Sequence, residues 1–293
     1  MPATGNPRDP GRRGPAISAH RGGSETAPAG TTEAYRSSLA AGADYAEFDV
    51  RRLADGTLVA VHAARLRTPG WRPSARTTGA VVPDDTAPNG TGPNGAGPGS
   101  GEAQRRLTGS SRAVAGLSYP ELCELAGYRV PRTADVLGLI AAAGARAHVD
   151  LKDPAATDQV VAQALSVLDP EAVIVTTRDQ YVLRYLRRQF PDVAAGRTIG
   201  GDVAELARYT ARRAAGQLRT RLDDVTAAGA TWAVLHVKAA SSGTLAQCRE
   251  RGLATMVWTV NADDDLRRLL ASPLVDVVVT DRPTAAAGLR AEL

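Results

Sequence analysis

Two carboxylates stand two residues apart in a short run of strand-forming residues, Ala46–Val50. Because side chains alternate across a strand, Glu47 and Asp49 point to one face, with their carbons roughly 6 to 7 Å apart. If that face lines an enclosed interior, two unpaired negative charges are costly, and a hard divalent cation between them removes the cost. The pair therefore predicts a metal site. The alternative is that both residues face water at a sheet edge or pair with Arg51 and Arg52.

An acidic and a basic residue repeat this spacing in a later strand-like run, Arg146–Leu151. Asp150 and Lys152 share one face of that strand, and Val149 takes the opposite, apolar face. An inward Asp150 can complete an oxygen-rich metal site, and an inward Lys152 can neutralise a phosphate as a point charge. The alternative is a salt bridge between the two at a strand end.

The four histidines supply the candidates for proton transfer. His20, His62 and His236 stand at or near the carboxyl ends of predicted strands, whereas His148 stands earlier on its strand. Imidazole titrates near neutral pH, so two such groups can act as general base and general acid across a phosphoryl centre. We predict His20 and His62 as this catalytic pair, and His148 and His236 as hydrogen-bonded structural residues.

Two further residues are candidates for substrate binding. Arg21 is followed by Gly22 and Gly23, which places a guanidinium and a permissive turn directly after the first strand, an arrangement suited to bidentate contact with phosphate oxygens. Trp258 ends the seventh predicted strand, where its ring either forms an apolar wall for a substrate or caps the core.

These residues are positioned by alternating strands and helices. The segments between the predicted strands are rich in Ala, Leu and Arg, with apolar residues at helical spacing. Eight such units at this length predict a (β/α)8 TIM barrel, an α/β fold, with an open doubly wound sheet as the competitor. The predicted strands are Ala16–His20, Ala46–Val50, Arg146–Leu151, Ala172–Thr176, Gly196–Ile199, Trp232–His236, Thr255–Thr259 and Val275–Thr280. Asp55-Gly56 is a hairpin signal and predicts a small hairpin insertion after the second strand, with His62 at its end.

The composition of the chain and of its segments indicates how the protein is divided into a folded domain and irregular segments. Of 293 residues, 43% are hydrophobic and 23% charged, which predicts a globular protein with a large core. We expect a disordered N-terminal tail at residues 1–14 and a single barrel domain at residues 15–293. A Gly/Pro-rich stretch without periodicity predicts a flexible insertion at residues 69–112.

Charge and cysteine usage exclude several classes of function. The net charge of +4 is small and spread along the chain, which disfavours nucleic acid as a partner. Two distant cysteines suggest neither a disulfide framework nor a zinc site. With no visible signal peptide and no apolar run near the ~18 residues of a membrane span, we expect a cytoplasmic protein without stable membrane insertion.

Several motifs, taken in order, resemble the glycerophosphodiester phosphodiesterase family from Ile17 to Pro283. The early ones are His20-Arg21-Gly22, Ala27-Pro28, Thr31, Gly42-Ala43-Asp44-Tyr45-Ala46-Glu47-Phe48-Asp49-Val50, Asp55-Gly56 and Val61-His62. The later ones are Val130-Pro131-Arg132-Thr133, Asp150-Leu151-Lys152, Val257-Trp258-Thr259-Val260-Asn261 and Thr280-Asp281-Arg282-Pro283. The resemblance implies a TIM barrel and a small-molecule glycerophosphodiester substrate, cleaved to glycerol 3-phosphate and an alcohol.

The resemblance also implies a role for each candidate residue. His20 and His62 would be the catalytic acid and base, and Arg21 and Lys152 would hold the phosphate. Glu47 and Asp49 would bind a divalent cation, Ca²⁺ or Mg²⁺. The family usually has Glu as the third ligand, where this chain has the shorter Asp150, an irregularity that Ca²⁺ tolerates better than Mg²⁺.

Other departures keep alternatives open. Ala29 and Gly30 stand where the family has a carboxylate and an amide, and Ala63 replaces an Asp after the second histidine. These changes favour, as alternatives, a catalytically weak phosphodiester-binding module, or a lyase that releases a cyclic phosphate.

Overall fold

The computed structural model describes residues 14–67, 111–200, 207 and 218–293. Its centre is a barrel of eight parallel strands, closed because the first strand pairs with both the second and the last. The barrel strands are β1 (Ala16–Ala19), β2 (Tyr45–Arg52), β6 (Arg146–Leu151), β7 (Val173–Thr177), β8 (Ala194–Ile199), β9 (Trp232–His236), β10 (Ala254–Trp258) and β11 (Val277–Thr280). The predicted TIM barrel is confirmed, and the open doubly wound sheet is ruled out by this closure.

Helices connect the strands and cover the outside of the barrel. In the described ranges they are α1 (Thr32–Ala40), α2 (Tyr119–Ala126), α3 (Thr133–Ala142), α4 (Thr157–Leu165), α5 (Gln180–Gln189), α6 (Leu218–Ala227), α7 (Ser242–Glu250), α8 (Asp263–Leu270) and α9 (Pro283–Ala291). Among these described helices, none is long and apolar enough to cross a membrane.

Because side chains alternate between the two faces of each strand, the hydrophobic core is divided into an outer and an inner cluster. Outward residues such as Phe48, Val149 and Leu235 are fully buried in the large cluster between the barrel and its helices. Inward residues such as Trp232 and Met256 fill the barrel interior in a smaller cluster. The candidate site residues continue these inward rows towards the carboxyl ends of the strands, which is the face where TIM barrels carry their active sites.

The predicted hairpin follows β2. Asp55 Oδ1 accepts a hydrogen bond from the Thr57 backbone N–H at 2.9 Å, and Gly56 takes a φ of 83°. The chain then returns as β3 (Leu58–Ala60), which is antiparallel to β2. The return brings His62 back to the end of β2 that carries Asp49.

A small antiparallel pair follows this hairpin, formed by β4 (Arg65–Arg67) and β5 (Ser111–Ala113). The expected insertion at residues 69–112 lies outside the described residues apart from its last two positions, which belong to β5. The expected N-terminal tail, residues 1–14, lies outside them apart from Gly14.

Candidate active site

Three carboxylates meet at the carboxyl end of the barrel. Strands β2 and β6 are parallel neighbours, with Asp49 in register with Asp150 and Glu47 in register with His148. Glu47, Asp49 and Asp150 each offer one oxygen, and these oxygens all lie within 4.8 Å of one another. Glu47 and Asp49 are buried, with 3% and 2% of their surface exposed. The water-facing alternative for this pair therefore does not describe the structure.

The three acids differ in their electrostatic surroundings. Burial, together with the charges of Asp49 and Asp150, raises the pKa of Glu47 well above its usual value. One oxygen of Glu47 accepts a 2.7 Å hydrogen bond from the backbone N–H of Arg21. Burial would also raise the pKa of Asp49, but Lys152 and His62 outweigh it and hold that pKa below its usual value. In the folded chain, Asp49 is thus stabilised as an anion, whereas the anionic form of Glu47 is disfavoured.

Lys152 links two of the acids. Its Nζ lies 2.7 Å from Asp150 Oδ2 and 3.1 Å from Asp49 Oδ1. Burial opposes the ammonium form, yet Asp150 and Asp49 raise the pKa of Lys152 above its usual value. The salt bridge considered as the alternative is thus present, and it forms part of the carboxylate cluster. Three carboxylates against one ammonium leave this cluster with an excess of negative charge.

His62 contacts the same cluster from the hairpin. Its Nδ1 lies 3.2 Å from each oxygen of Asp49, and its side chain is 51% exposed. The guanidinium of Arg51 donates two hydrogen bonds to the His62 carbonyl, at 3.0 and 2.9 Å, and so fixes the chain at this point. The ring is therefore held on one edge and open to solvent on the other, as a group that exchanges protons with a ligand must be.

His20 follows directly after β1, in the single turn His20–Gly22. Its Nδ1 lies 2.7 Å from Asp281 Oδ1, and its side chain is 15% exposed. Arg21 adopts a φ of 50°, which is rare for a residue with a side chain. This turn presents the Arg21 N–H to Glu47. The Nε of Arg21 is buried and has no hydrogen-bond partner among the described residues.

The turn depends on Gly22. Gly22 has a φ of 79°, and a Cβ built on it would lie 2.7 Å from the Tyr35 backbone nitrogen and 2.9 Å from the Ala34 carbonyl carbon. We expect Gly22→Ala to destabilise the protein by about 2–5 kcal/mol, since a positive φ costs roughly 1–2 kcal/mol and the clash roughly 1–3 kcal/mol more. Gly42→Ala is the matched control, because Gly42 has a φ of 84° with nothing within 4 Å of its Cβ position. Urea unfolding of both variants measures the difference, and equal losses would contradict the packing argument.

The other two histidines have hydrogen-bonded positions. His148 is buried inside the barrel, with Nδ1 3.1 Å from Ser18 Oγ and Nε2 3.1 Å from Thr176 Oγ1. Burial and the charge of His20 lower the pKa of His148 to about 3, so its ring is neutral. His236 Nδ1 accepts a hydrogen bond from the Lys238 N–H at 3.2 Å.

Trp258 is the last residue of β10, at the rim of the barrel. Its ring meets that of His236 edge to face, with centroids 5.5 Å apart and planes at 83°. Its Nε1 is buried and has no hydrogen-bond partner in the described part of the chain. The ring is partly exposed, so Trp258 both lines the mouth and closes the interior cluster beneath it.

Sequence reasoning gave no role to Asp281, which contacts His20, or to Asn261, which contacts Asp281. Asp281 follows β11 directly, and Asn261 lies three residues beyond β10. Asn261 Nδ2 donates to Asp281 Oδ2 at 2.6 Å. The sequence feature that could have identified Asp281 and Asn261 is their position shortly after predicted strands, since polar residues there face the same mouth of the barrel as His20.

The carboxylate cluster fits a hard cation. All three donors are carboxylate oxygens, which is the ligand type of Ca²⁺ and Mg²⁺, and their negative charge exceeds that of the lysine within reach. Without a compensating cation, the raised pKa of Glu47 expresses the cost of burying it beside two other acids. Glu47, Asp49 and Asp150 are thus the residues that would hold such an ion.

Comparisons with known proteins agree on one family. The model of the glycerophosphoryl diester phosphodiesterase family matches residues 20–285. A glycerophosphodiester phosphodiesterase of Caldanaerobacter subterraneus is 23% identical over 274 residues, covering 91% of this chain and 94% of the relative.

Solved structures agree on the fold. A crystal structure from Silicibacter pomeroyi, provisionally identified as a glycerophosphoryl diester phosphodiesterase, matches with a TM-score of 0.69, 23% identity, and coverage of 96% of this chain and 94% of that one. An Oleispira antarctica phosphodiesterase in complex with its product sn-glycerol-3-phosphate matches with a TM-score of 0.63, 16% identity, and coverage of 94% and 96%.

Proposed function

Because the chain belongs to the glycerophosphoryl diester phosphodiesterase family, we propose that it hydrolyses glycerophosphodiesters to glycerol 3-phosphate and an alcohol. The observation that carries this proposal is that the candidate histidines, carboxylates and lysine lie together at one end of the barrel. His62 and Lys152 both contact Asp49, while the turn of His20 contacts Glu47 through the Arg21 N–H. The charges of both histidines also act on Asp49, so the two rings share one electrostatic environment.

Two imidazoles in one site allow paired proton transfer. In the first step, one imidazole takes the proton of the glycerol 2-hydroxyl as its oxygen bonds to phosphorus. The bond from phosphorus to the leaving alcohol breaks, and the other imidazole gives that alcohol its proton. A five-membered cyclic phosphate results. In the second step, water adds to phosphorus with the proton transfers reversed, one ring P–O bond breaks, and glycerol 3-phosphate is released. His20 and His62 fill these roles in our proposal, each worth roughly 10²–10⁴ in rate.

The charged groups around the two histidines would stabilise the phosphate of the substrate. A divalent cation held by Glu47, Asp49 and Asp150 would neutralise phosphate charge and lower the pKa of the attacking hydroxyl. Lys152 and Arg21 stabilise charge on the non-bridging oxygens. The buried, unpartnered Nε of Arg21 is a donor that a phosphate oxygen would satisfy.

Trp258 contacts the organic part of the substrate in this proposal. Its ring offers an apolar wall at the rim, and its N–H can only donate, so it suits a hydroxyl or ester oxygen of the ligand. This places the glycerol or the leaving alcohol between Trp258 and the carboxylate cluster.

The proposal is tested by an activity matrix on the purified protein. Glycerophosphocholine, glycerophosphoethanolamine and glycerophosphoinositol are each assayed with Mg²⁺, Mn²⁺ or Ca²⁺, and phosphorus NMR identifies the product. We expect glycerol 3-phosphate with at least one combination, and no turnover in EDTA. Accumulation of the cyclic phosphate would assign the chain as a lyase. Calorimetric binding of a diester without product in any combination would overturn the hydrolase and leave a binding module.

A further inference from the structure

Asp281 is the nearest partner of His20, and it stands apart from the carboxylate cluster. The distance of 2.7 Å from His20 Nδ1 to Asp281 Oδ1 is that of a charge-assisted hydrogen bond. Burial would raise the pKa of Asp281, but the hydrogen bonds of His20 and Asn261 and the nearby positive charges hold it below its usual value. Asp281 is therefore a carboxylate, which only accepts hydrogen bonds.

This pairing fixes where the protons of His20 reside. Since Asp281 cannot donate, Nδ1 of His20 must carry a hydrogen, and in the neutral ring the lone pair is then on Nε2. The reactive nitrogen is thereby placed on the ring edge that faces away from Asp281. Without such a partner, the ring is free to rotate and to exchange tautomers.

Asp281 is in turn held by Asn261, whose amide has a fixed orientation. Asn261 Oδ1 accepts hydrogen bonds from Thr280 Oγ1 at 3.2 Å and from the Asp281 N–H at 3.0 Å. Its Nδ2 must then point to Asp281 Oδ2, which it reaches at 2.6 Å. Arg282 Nη1 donates to the Asn261 carbonyl at 2.8 Å and anchors this loop.

The same segment also holds the turn of His20. The Ser24 N–H donates to the Asp281 carbonyl at 2.8 Å, and a Cβ on Gly23 would lie 2.7 Å from Pro283. The loop after β11 therefore contacts both the ring of His20 and the backbone just beyond it. The hydrogen bonds that link Asn261 to Asp281 and Asp281 to His20 are thus anchored by backbone contacts at both ends.

We propose that Asp281, held by Asn261, is a positioning residue that fixes the tautomer and the ring orientation of His20. The kinetic part of this proposal rests on the proposed hydrolysis, whereas the tautomer of His20 is a property of the free protein. The two parts can therefore fail separately.

The test compares Asp281→Asn and Asn261→Ala with Asp265→Asn. Asp265 is a surface residue that pairs with Arg268, so its variant controls for the loss of an aspartate. Long-range ¹⁵N NMR at about pH 8.5, where an ordinary imidazole is neutral, reports the tautomer of His20. A His20→Gln spectrum assigns its signals. Turnover is measured with the substrate and cation selected by the activity matrix, and cation affinity by calorimetry.

We expect the wild-type protein and Asp265→Asn to show His20 protonated on Nδ1. Asp281→Asn should shift the ring towards the Nε2–H form and lower kcat by roughly 10²–10⁴-fold, with KM and cation affinity within about threefold. Asn261→Ala should lower kcat by about tenfold, because it removes one hydrogen bond to the carboxylate.

An Nε2–H tautomer in the wild-type protein would overturn the proposal even if Asp281→Asn failed to fold. So would a folded Asp281→Asn variant that keeps the Nδ1–H tautomer and normal kcat. If the wild-type protein turns over no diester, the proposed function fails, and the NMR experiment still decides the positioning role.

Discussion

Replacing His20 by Asn is expected to lower kcat for the best glycerophosphodiester by about 10³-fold, with KM changed by less than about threefold. The reason is that Asn cannot take or give a proton, although it is polar and of similar size near the ring root. The substitution should act on the transition state alone, because the carboxylate cluster and the phosphate contacts that we propose for Arg21 and Lys152 are retained. Steady-state kinetics measure the split between kcat and KM.

His236→Asn is the matched control for this prediction. His236 stands at the carboxyl end of a barrel strand, as the last residue of β9, but its Nδ1 accepts a hydrogen bond from the Lys238 N–H and its ring meets Trp258 edge to face. We expect this variant to keep kcat within about threefold, since general acid–base roles are assigned elsewhere in the site. If His20→Asn turned over substrate as fast as the control, His20 could not be a catalytic group.

The sequence was sufficient to predict the barrel because its signals are local. Most of the strands are short runs rich in apolar residues, as is typical of parallel strands buried on both faces. The positions of Glu47, Asp49 and Asp150 followed from the period of two within single strands. Their meeting in space followed from the rule that all eight strands end at the same face.

The contacts between these groups could not be derived in this way. Asp281 is 261 residues away from His20 along the chain, and only barrel closure brings their strands side by side. Likewise, the spacing of Asp150 and Lys152 predicts a shared face, but the contact of Lys152 with Asp49 depends on the β2–β6 register. Register and closure are set by the packing of the whole barrel, which no single segment encodes.

Removing divalent cations should also have a large effect on turnover. We expect EDTA to lower turnover by more than about 10³-fold, and readdition of Mg²⁺, Mn²⁺ or Ca²⁺ to restore it. A cation at about one hundred times its Kd stabilises a folded protein by about 2.7 kcal/mol, which corresponds to a rise in Tm of roughly 4 °C at this chain length. Glu47→Gln should abolish most of this rise. Glu33→Gln is the control, because Glu33 is a 69% exposed residue that pairs with Arg36 on α1.

The pKa shifts of Glu47 and Asp49 predict that substituting the one or the other acid has opposite effects on the stability of the chelated protein. Burial and the neighbouring acids raise the pKa of Glu47 in the folded chain, so the folded state holds a proton that the unfolded state releases at lower pH. Its contribution to stability is thus greatest below the unfolded pKa and is lost as the pH rises through the folded pKa. Glu47→Gln removes this loss, so its Tm in EDTA should exceed that of the wild type by an amount that grows with pH.

The pKa of Asp49 is shifted in the opposite direction, because Lys152 and His62 outweigh burial and lower the pKa of Asp49 in the folded chain. Its contribution to stability is present above the unfolded pKa and is lost as the pH falls through the folded pKa. Asp49→Asn should therefore lower the Tm of the chelated protein at neutral pH, since it leaves Lys152 and His62 without one of their counter-charges. Calorimetric melting of both variants in EDTA from about pH 5 to 8, the range in which stability is usually maximal, tests the contrast. Shifts of the same sign would show that the two acids do not occupy these different electrostatic surroundings.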